Sequence, residues 1–167
     1  MEETQTFEEA EPNAVGEVVP FRVRSYRGES AFVAHSWLRS YQSAPAVRNV
    51  PVDDYYKFHA RLVSKLIDRG QVYIAVHAEH PELFLGHVCG ERDERGCVVH
   101  YTYVKSAYRR TGIATALWRA LFDSLCIRGA SLGQVRYTHA KAPFTEVAAR
   151  KGWTYSMYPA FRQGWES

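Results

Sequence analysis

The polar and apolar positions change period twice along the chain. In "VVPFRVRSY", 18–26, Phe21, Val23 and Ser25 alternate with Arg22, Arg24 and Tyr26, which is a strand pattern. In "ESAFVAHSWLRSYQ", 29–42, Phe32, Ser36 or Trp37, and Tyr41 fall near one face, which predicts a helix. Pro45 and Pro51 bracket a loop. Asp53 or Asp54 can cap a second helix, where Tyr55, Phe58, Leu62, Leu66 and Ile67 recur at helical spacing and Gly70 marks the stop. The period then shortens. "QVYIAVHA", 71–78, "LFLGHVCGE", 83–91, and "CVVHYTYV", 97–104, are short β-branched and aromatic runs separated by turn-like "EHPE" and "RDERG". They predict an antiparallel meander.

After Gly112 the helical period returns, with Ile113, Leu117, Ala120, Leu121 and Ser124 on one face. "QVRYTHA", 134–140, reads as a strand, and "PFTEVAARKG", 143–152, as a short helix with Pro143 at its start and Gly152 past its end. "WTYSMYPAFRQ", 153–163, reads as a last strand broken near Pro159. The expected order is β-α-α-β-β-β-α-β-α-β. That order predicts a single α/β domain, with a mixed, mostly antiparallel sheet of about six to seven strands flanked by about four helices.

Composition narrows this picture. A chain of 167 residues with 46% hydrophobic content suits one domain with a full core. Residues 1–17 hold six Glu and no Lys or Arg, lack periodicity, and are expected to be a disordered acidic tail. The domain is then 18–167. A net charge of +3 with −6 in that tail leaves +9 on the rest, which suits an anionic ligand such as a nucleotide, coenzyme A (CoA) or nucleic acid. No apolar run is long enough for a membrane span, and the start does not read as a signal peptide. The expectation is a cytoplasmic protein with no membrane partner. Cys89, Cys97 and Cys126 have no CxxC spacing and read as apolar residues. The seven His show no metal-ligand spacing, so no metal is expected.

The densest chemistry lies in "HYTYVKSAYRRTGIATALWRAL", 100–121, where a strand passes through an arginine-rich turn into a helix. A helix N-terminus carries unpaired N–H groups and about half a positive charge, and a phosphate satisfies both. Gly112 allows close approach to the backbone, Arg109 and Arg110 add charge, and Ala114 keeps the first turn narrow. The junction reads as a pyrophosphate cradle.

Tyr103-Val104, Tyr108-Arg109, Gly112 and Ala114 resemble, in order and spacing, the signature of the GNAT family of acyl-CoA-dependent N-acetyltransferases. "RKGW", 150–153, is similar to that family's C-terminal basic-x-Gly-Phe turn. The element order from about residue 18 also fits. The resemblance implies that the N–H groups of 110–115 (Arg110, Thr111, Gly112, Ile113, Ala114 and Thr115) hold the CoA pyrophosphate. The main chain near Tyr103 and Val104 would pair with the pantetheine arm, which enters a gap between the 97–104 and 134–140 strands. It implies acetyl-CoA as cosubstrate and an amine acceptor, and it allows a homodimer.

The family's usual proton-donating Tyr, four residues before the Gly-Phe turn, is Ala148 here. His100, placed by alternation on the face of Thr102 and Val104, is the candidate general base, and a similar His occurs in arylamine-type members. His139, at the strand end where the sheet would open, is a second candidate. Tyr158, like Tyr155, is a candidate proton donor near the C-terminal strand. No Cys or Ser stands out as a nucleophile, so direct transfer is expected. Two alternatives remain. One is a CoA-binding module without transferase activity, motivated by Ala148. The other is a nucleic-acid-modifying protein, motivated by the charge, by "RVRSYR" and by a resemblance to divergent phage-type GNAT-like proteins.

Overall fold

The computed structural model describes residues 18–128 and 134–161; the acidic 1–17 segment and the last six residues lie outside them. The elements are β1 (Phe21–Ser25), α1 (Ser30–Tyr41), α2 (Val52–Arg69), β2 (Gln71–His77), β3 (Phe84–Asp93), β4 (Gly96–Val104), α3 (Ile113–Ser124), β5 (Arg136–Tyr137), α4 (Phe144–Arg150) and β6 (Thr154–Tyr155). The described residues form one α/β layer structure, a six-stranded sheet in the order β1-β2-β3-β4-β5-β6. β1 to β4 pair antiparallel, while β4–β5 and β5–β6 are parallel.

The sequence order of elements is as expected, but two strands are shorter. β5 keeps only Arg136–Tyr137 of the expected 134–140 strand. The last strand stops at Tyr155 and is followed by a 3-10 turn at Tyr158–Phe161, so the break comes before Pro159. α2 is capped differently too. Pro51 stands at its N-cap and no side chain caps it; Asp53 and Asp54 lie in the first turn, where they favour the helix dipole.

Each face of the sheet carries a core. Trp37, Tyr55, Val63, Leu66, Ile74 and Tyr101 gather under α1 and α2. Leu85, Val88, Val99, Leu117, Leu121 and Trp153 gather under α3 and α4. Gly90 lets α3 lie close on the sheet: a Cβ there would stand 2.7 Å from both Leu121 Cδ2 and the Val98 carbonyl oxygen.

The β3–β4 register jumps from Cys89↔Tyr101 to Gly90↔Val99, so His100 is the extra residue of a bulge. The bulge breaks the alternation. Tyr101 belongs to the α1/α2 core, and His100 bonds Glu91, which in turn binds Arg69 of α2. Thr102 accepts from Trp118 Nε1 of α3 at 2.9 Å, on the opposite face. His100 therefore does not share the face of Thr102 and Val104, because a bulge resets the period-two pattern beyond it.

Candidate active site

The turn before α3 has an unusual backbone. Arg110 (φ 62°) and Gly112 (φ 88°) are both left-handed, a conformation rare for a residue with a side chain such as Arg110. Two such residues in three are a turn pattern that can form an anion-binding nest. Thr111 Oγ1 donates to the Tyr108 carbonyl at 2.6 Å and pins the turn. Gly112 is the N-cap of α3 and supplies no side-chain cap, and the first helical bond runs from Ala116 N–H to Gly112 O. A Cβ on Gly112 would meet nothing within 4 Å. The amides of Ile113, Ala114 and Thr115 come before that first helical bond and so have no acceptor within the helix. Ile113 itself is buried and anchors the first turn.

The gap expected beside β4 is present. β4 and β5 pair only at Val98↔Arg136 and Val99↔Tyr137, with one further rung from Thr138 N–H to Val99 O at 3.2 Å. Beyond it β4 runs on to Val104 still paired with β3, but with no strand on its β5 side among the described residues. Lys105 N–H donates to Leu85 O, so alternation directs the main-chain groups of Thr102 and Val104 away from β3, to the open edge. The Tyr103 main chain faces β3. Arg109 Nε donates to Val104 O at 3.1 Å and tethers the turn to that edge.

Lys105, which follows β4 directly, and Lys141 are both half-buried. Burial lowers the Lys141 ammonium, and the charge of Arg109 adds to the effect. Burial also lowers Lys105, whose Nζ lies 5.8 Å from the Phe32 ring centroid. Lys141 donates to the Ser40 carbonyl of α1. Lys105 and Lys141 were not singled out from the sequence; their only signal was position just after the strand ends.

His100 and His139, 39 positions apart in the chain, are brought together by Thr138. His100 is fully buried with both ring nitrogens engaged, Nε2 3.2 Å from Glu91 Oε1 and Nδ1 3.0 Å from Thr138 Oγ1. Thr138 Oγ1 is also 2.8 Å from His139 Nδ1. His139 Nε2 in turn lies 3.1 Å from Nε2 of His59, which the sequence reading passed over. His59 sits between Tyr41 and Tyr55, ring centroids 5.1 Å away on each side. At the other end Arg69 grips Glu91 with two 2.8 Å bonds. Burial alone would raise the Glu91 carboxyl, but its bonds with His100 and Arg69 outweigh that and hold it down to about 2. Burial lowers His100 against the pull of Glu91, lowers His139 well below the usual imidazole value, and brings His59 to about 4. All three rings are neutral at pH 7.

Tyr158 is not brought to this cluster. Its side chain is 74% exposed, and none of the ring contacts among the described residues involves it. Tyr155 is closer: it packs on Tyr137 and its phenol helps raise that of Tyr41. Ala148 is wholly buried in the α3/α4 core, so α4 offers no proton donor there. Among the described residues no three His, Cys, Asp or Glu side chains converge as a metal ion would need. No described helix is long and apolar enough to cross a membrane.

The acetyltransferase (GNAT) family model matches residues 33–139, from α1 through the His139 junction. No curated protein matches the sequence. Solved structures do match in fold. A Pyrococcus furiosus protein provisionally assigned as an acetyl transferase superposes with a TM-score of 0.62 at 17% identity, over 80% of this chain and 93% of that one. A Clostridium difficile 630 protein with a similar provisional assignment gives 0.51 at 14% identity, over 79% and 88%. A Corynebacterium glutamicum structure described as histone acetyltransferase HPA2 and related acetyltransferase gives 0.50 at 15%, over 64% and 72%. With the family match spanning most of the chain, and including the strand, turn and helix that frame the opening, this protein belongs to the GNAT acetyltransferase family.

Proposed function

We propose that the protein is an N-acetyltransferase that moves the acetyl group of acetyl-CoA directly to the amine of an acceptor. The observation that carries this reading is the free edge of β4, which leads from the α3 N-terminus to the point where β4 and β5 part. The pyrophosphate would bind the amides of 110–115, with Arg109, Arg110 and Lys141 offsetting its charge. The pantetheine arm would bond the main chain of Thr102 and Val104 as an added strand does. The thioester would then lie at the apex of the gap, beside Thr138 and His139. Acetyl-CoA supplies the acyl group; this chain's part is to hold it straight, accept the amine's proton and exclude water. His139 would lie behind that apex, since it is buried with both ring nitrogens engaged, and sealed His100 would act through Thr138. With Ala148 in the usual donor position, Tyr155 is the phenol best placed to protonate the leaving thiolate.

The test is acetyl transfer from labelled acetyl-CoA to a panel of small amines, lysine peptides, N-terminal peptides and nucleic acids. Labelled product from any amine supports the reading. Tight acetyl-CoA binding with no product from any acceptor would favour a CoA-holding module instead.

A further inference from the structure

The line of bonds that runs from Arg69 through Glu91, His100, Thr138 and His139 to His59 has a fixed direction. A carboxylate can only accept, so His100 carries its proton on Nε2, facing Glu91. A neutral ring then offers a lone pair at Nδ1, and the single Thr138 hydroxyl proton points to it. The 3.4 Å approach of Thr138 Oγ1 to the His100 carbonyl is too long to compete. With its proton so used, Thr138 accepts from His139 Nδ1–H. His139 is left with a lone pair at Nε2, which accepts from His59 Nε2–H. The line ends on the Nδ1 lone pair of half-buried His59, for which no described residue is a hydrogen-bond partner.

We propose that this line is a one-way proton relay. In it His59 Nδ1 takes the proton of the acceptor ammonium, and the charge comes to rest on His100 against Glu91. The proposal rests on the acetyltransferase reading above. It makes His59 the catalytic residue that touches the acceptor, and Thr138, His139, His100 and Glu91 positioning residues behind it.

The protons balance. The ammonium gives one to His59 Nδ1. His59 passes its Nε2 proton to His139 Nε2, His139 passes its Nδ1 proton to Thr138 Oγ1, and Thr138 passes its own to His100 Nδ1. Every member except His100 is neutral again, and His100 is an imidazolium bonded to a carboxylate. The freed amine forms the C–N bond as the C–S bond breaks, and its second proton goes to the thiolate. The stored proton returns to solvent by the reverse steps. His100 suits the resting place because it alone of the three rings touches an anion. Complete burial keeps it from meeting substrate directly, so only a relay can connect it.

Nitrogen-15 NMR of the whole protein at pH 7 reads the direction without any activity. The expected result is three neutral rings with the proton on Nε2 of His100, Nδ1 of His139 and Nε2 of His59. The opposite tautomer at His139 would overturn the relay. Kinetics give a second reading. Thr138→Val should lower kcat/KM about 100-fold with acetyl-CoA affinity unchanged, whereas Thr138→Ser, which keeps the hydroxyl, should stay within about threefold of wild type. His59→Gln, at the half-buried end, should show the same loss with an intact fold. Equal rates for the Val and Ser variants in an active protein would overturn the relay alone. A wild type that binds acetyl-CoA but acetylates no amine would overturn the transferase reading and the relay with it.

Discussion

At the scale of single residues, the Glu91 carboxylate sets the order of the site. Arg69 balances it, and Arg69 Nη2 also donates to the Pro159 carbonyl at 2.7 Å, tying α2 to the C-terminal turn. Arg69→Ala leaves a half-sealed carboxylate without its cation, and we expect a loss of about 3 kcal/mol of stability, read by denaturant unfolding. A loss under about 0.5 kcal/mol would mean that solvent replaces the arginine. A second expectation concerns acid. Burial holds His59 at about 4 and His87 at about 3, so the folded protein keeps both rings neutral while the unfolded chain protonates them near 6.5. Their stabilisation is complete above about pH 6.5 and is lost as pH falls toward those lower values. The melting temperature should therefore drop between pH 7 and pH 5, and His59→Gln should flatten the drop. A flat wild-type profile would contradict the burial of these rings. Of the imidazoles, His100 and His139 were legible because each sits at a recognisable place on a strand. His59 was not: it lies 80 positions from its partner, inside a helix whose aromatic spacing reads as core.

At the scale of elements, strong periodicity gave the long pieces. α1, α2, α3 and the meander have apolar stripes that the sequence displays openly. β5 and β6 were overread because "VRYTHA" and "WTYSMY" have strand composition, yet the chain leaves the sheet at Thr138 and again after Tyr155. That departure is what opens the site, and no local propensity records it. The bulge at His100 was equally hidden, since an inserted residue leaves composition unchanged while reversing every face before it. The close seat of α3 on the sheet gives an element-scale test. Gly90→Val puts carbon where Leu121 and the Val98 carbonyl already stand. We expect a cost of about 1–3 kcal/mol, seen as a lower melting temperature. An unchanged melting temperature would mean α3 can lift away without penalty.

At the scale of the molecule, the sheet holds two cores and one seam. The parting of β4 from β5 exposes a main-chain edge, with Lys105 directly after it in the chain and Arg109 bonded to its Val104 carbonyl. The +9 charge outside the acidic first segment is visible in the sequence, but the bond of Arg109 to this edge needed the fold. The central claim is that the seam and the α3 N-terminus receive CoA. Calorimetric titration of acetyl-CoA into the wild type and Gly112→Glu, with circular dichroism confirming that both are folded, tests it most directly. The expected result is one-to-one binding by the wild type and none by the variant, whose carboxylate would stand where the pyrophosphate must sit. No binding by the folded wild type, or equal binding by both proteins, would contradict the claim.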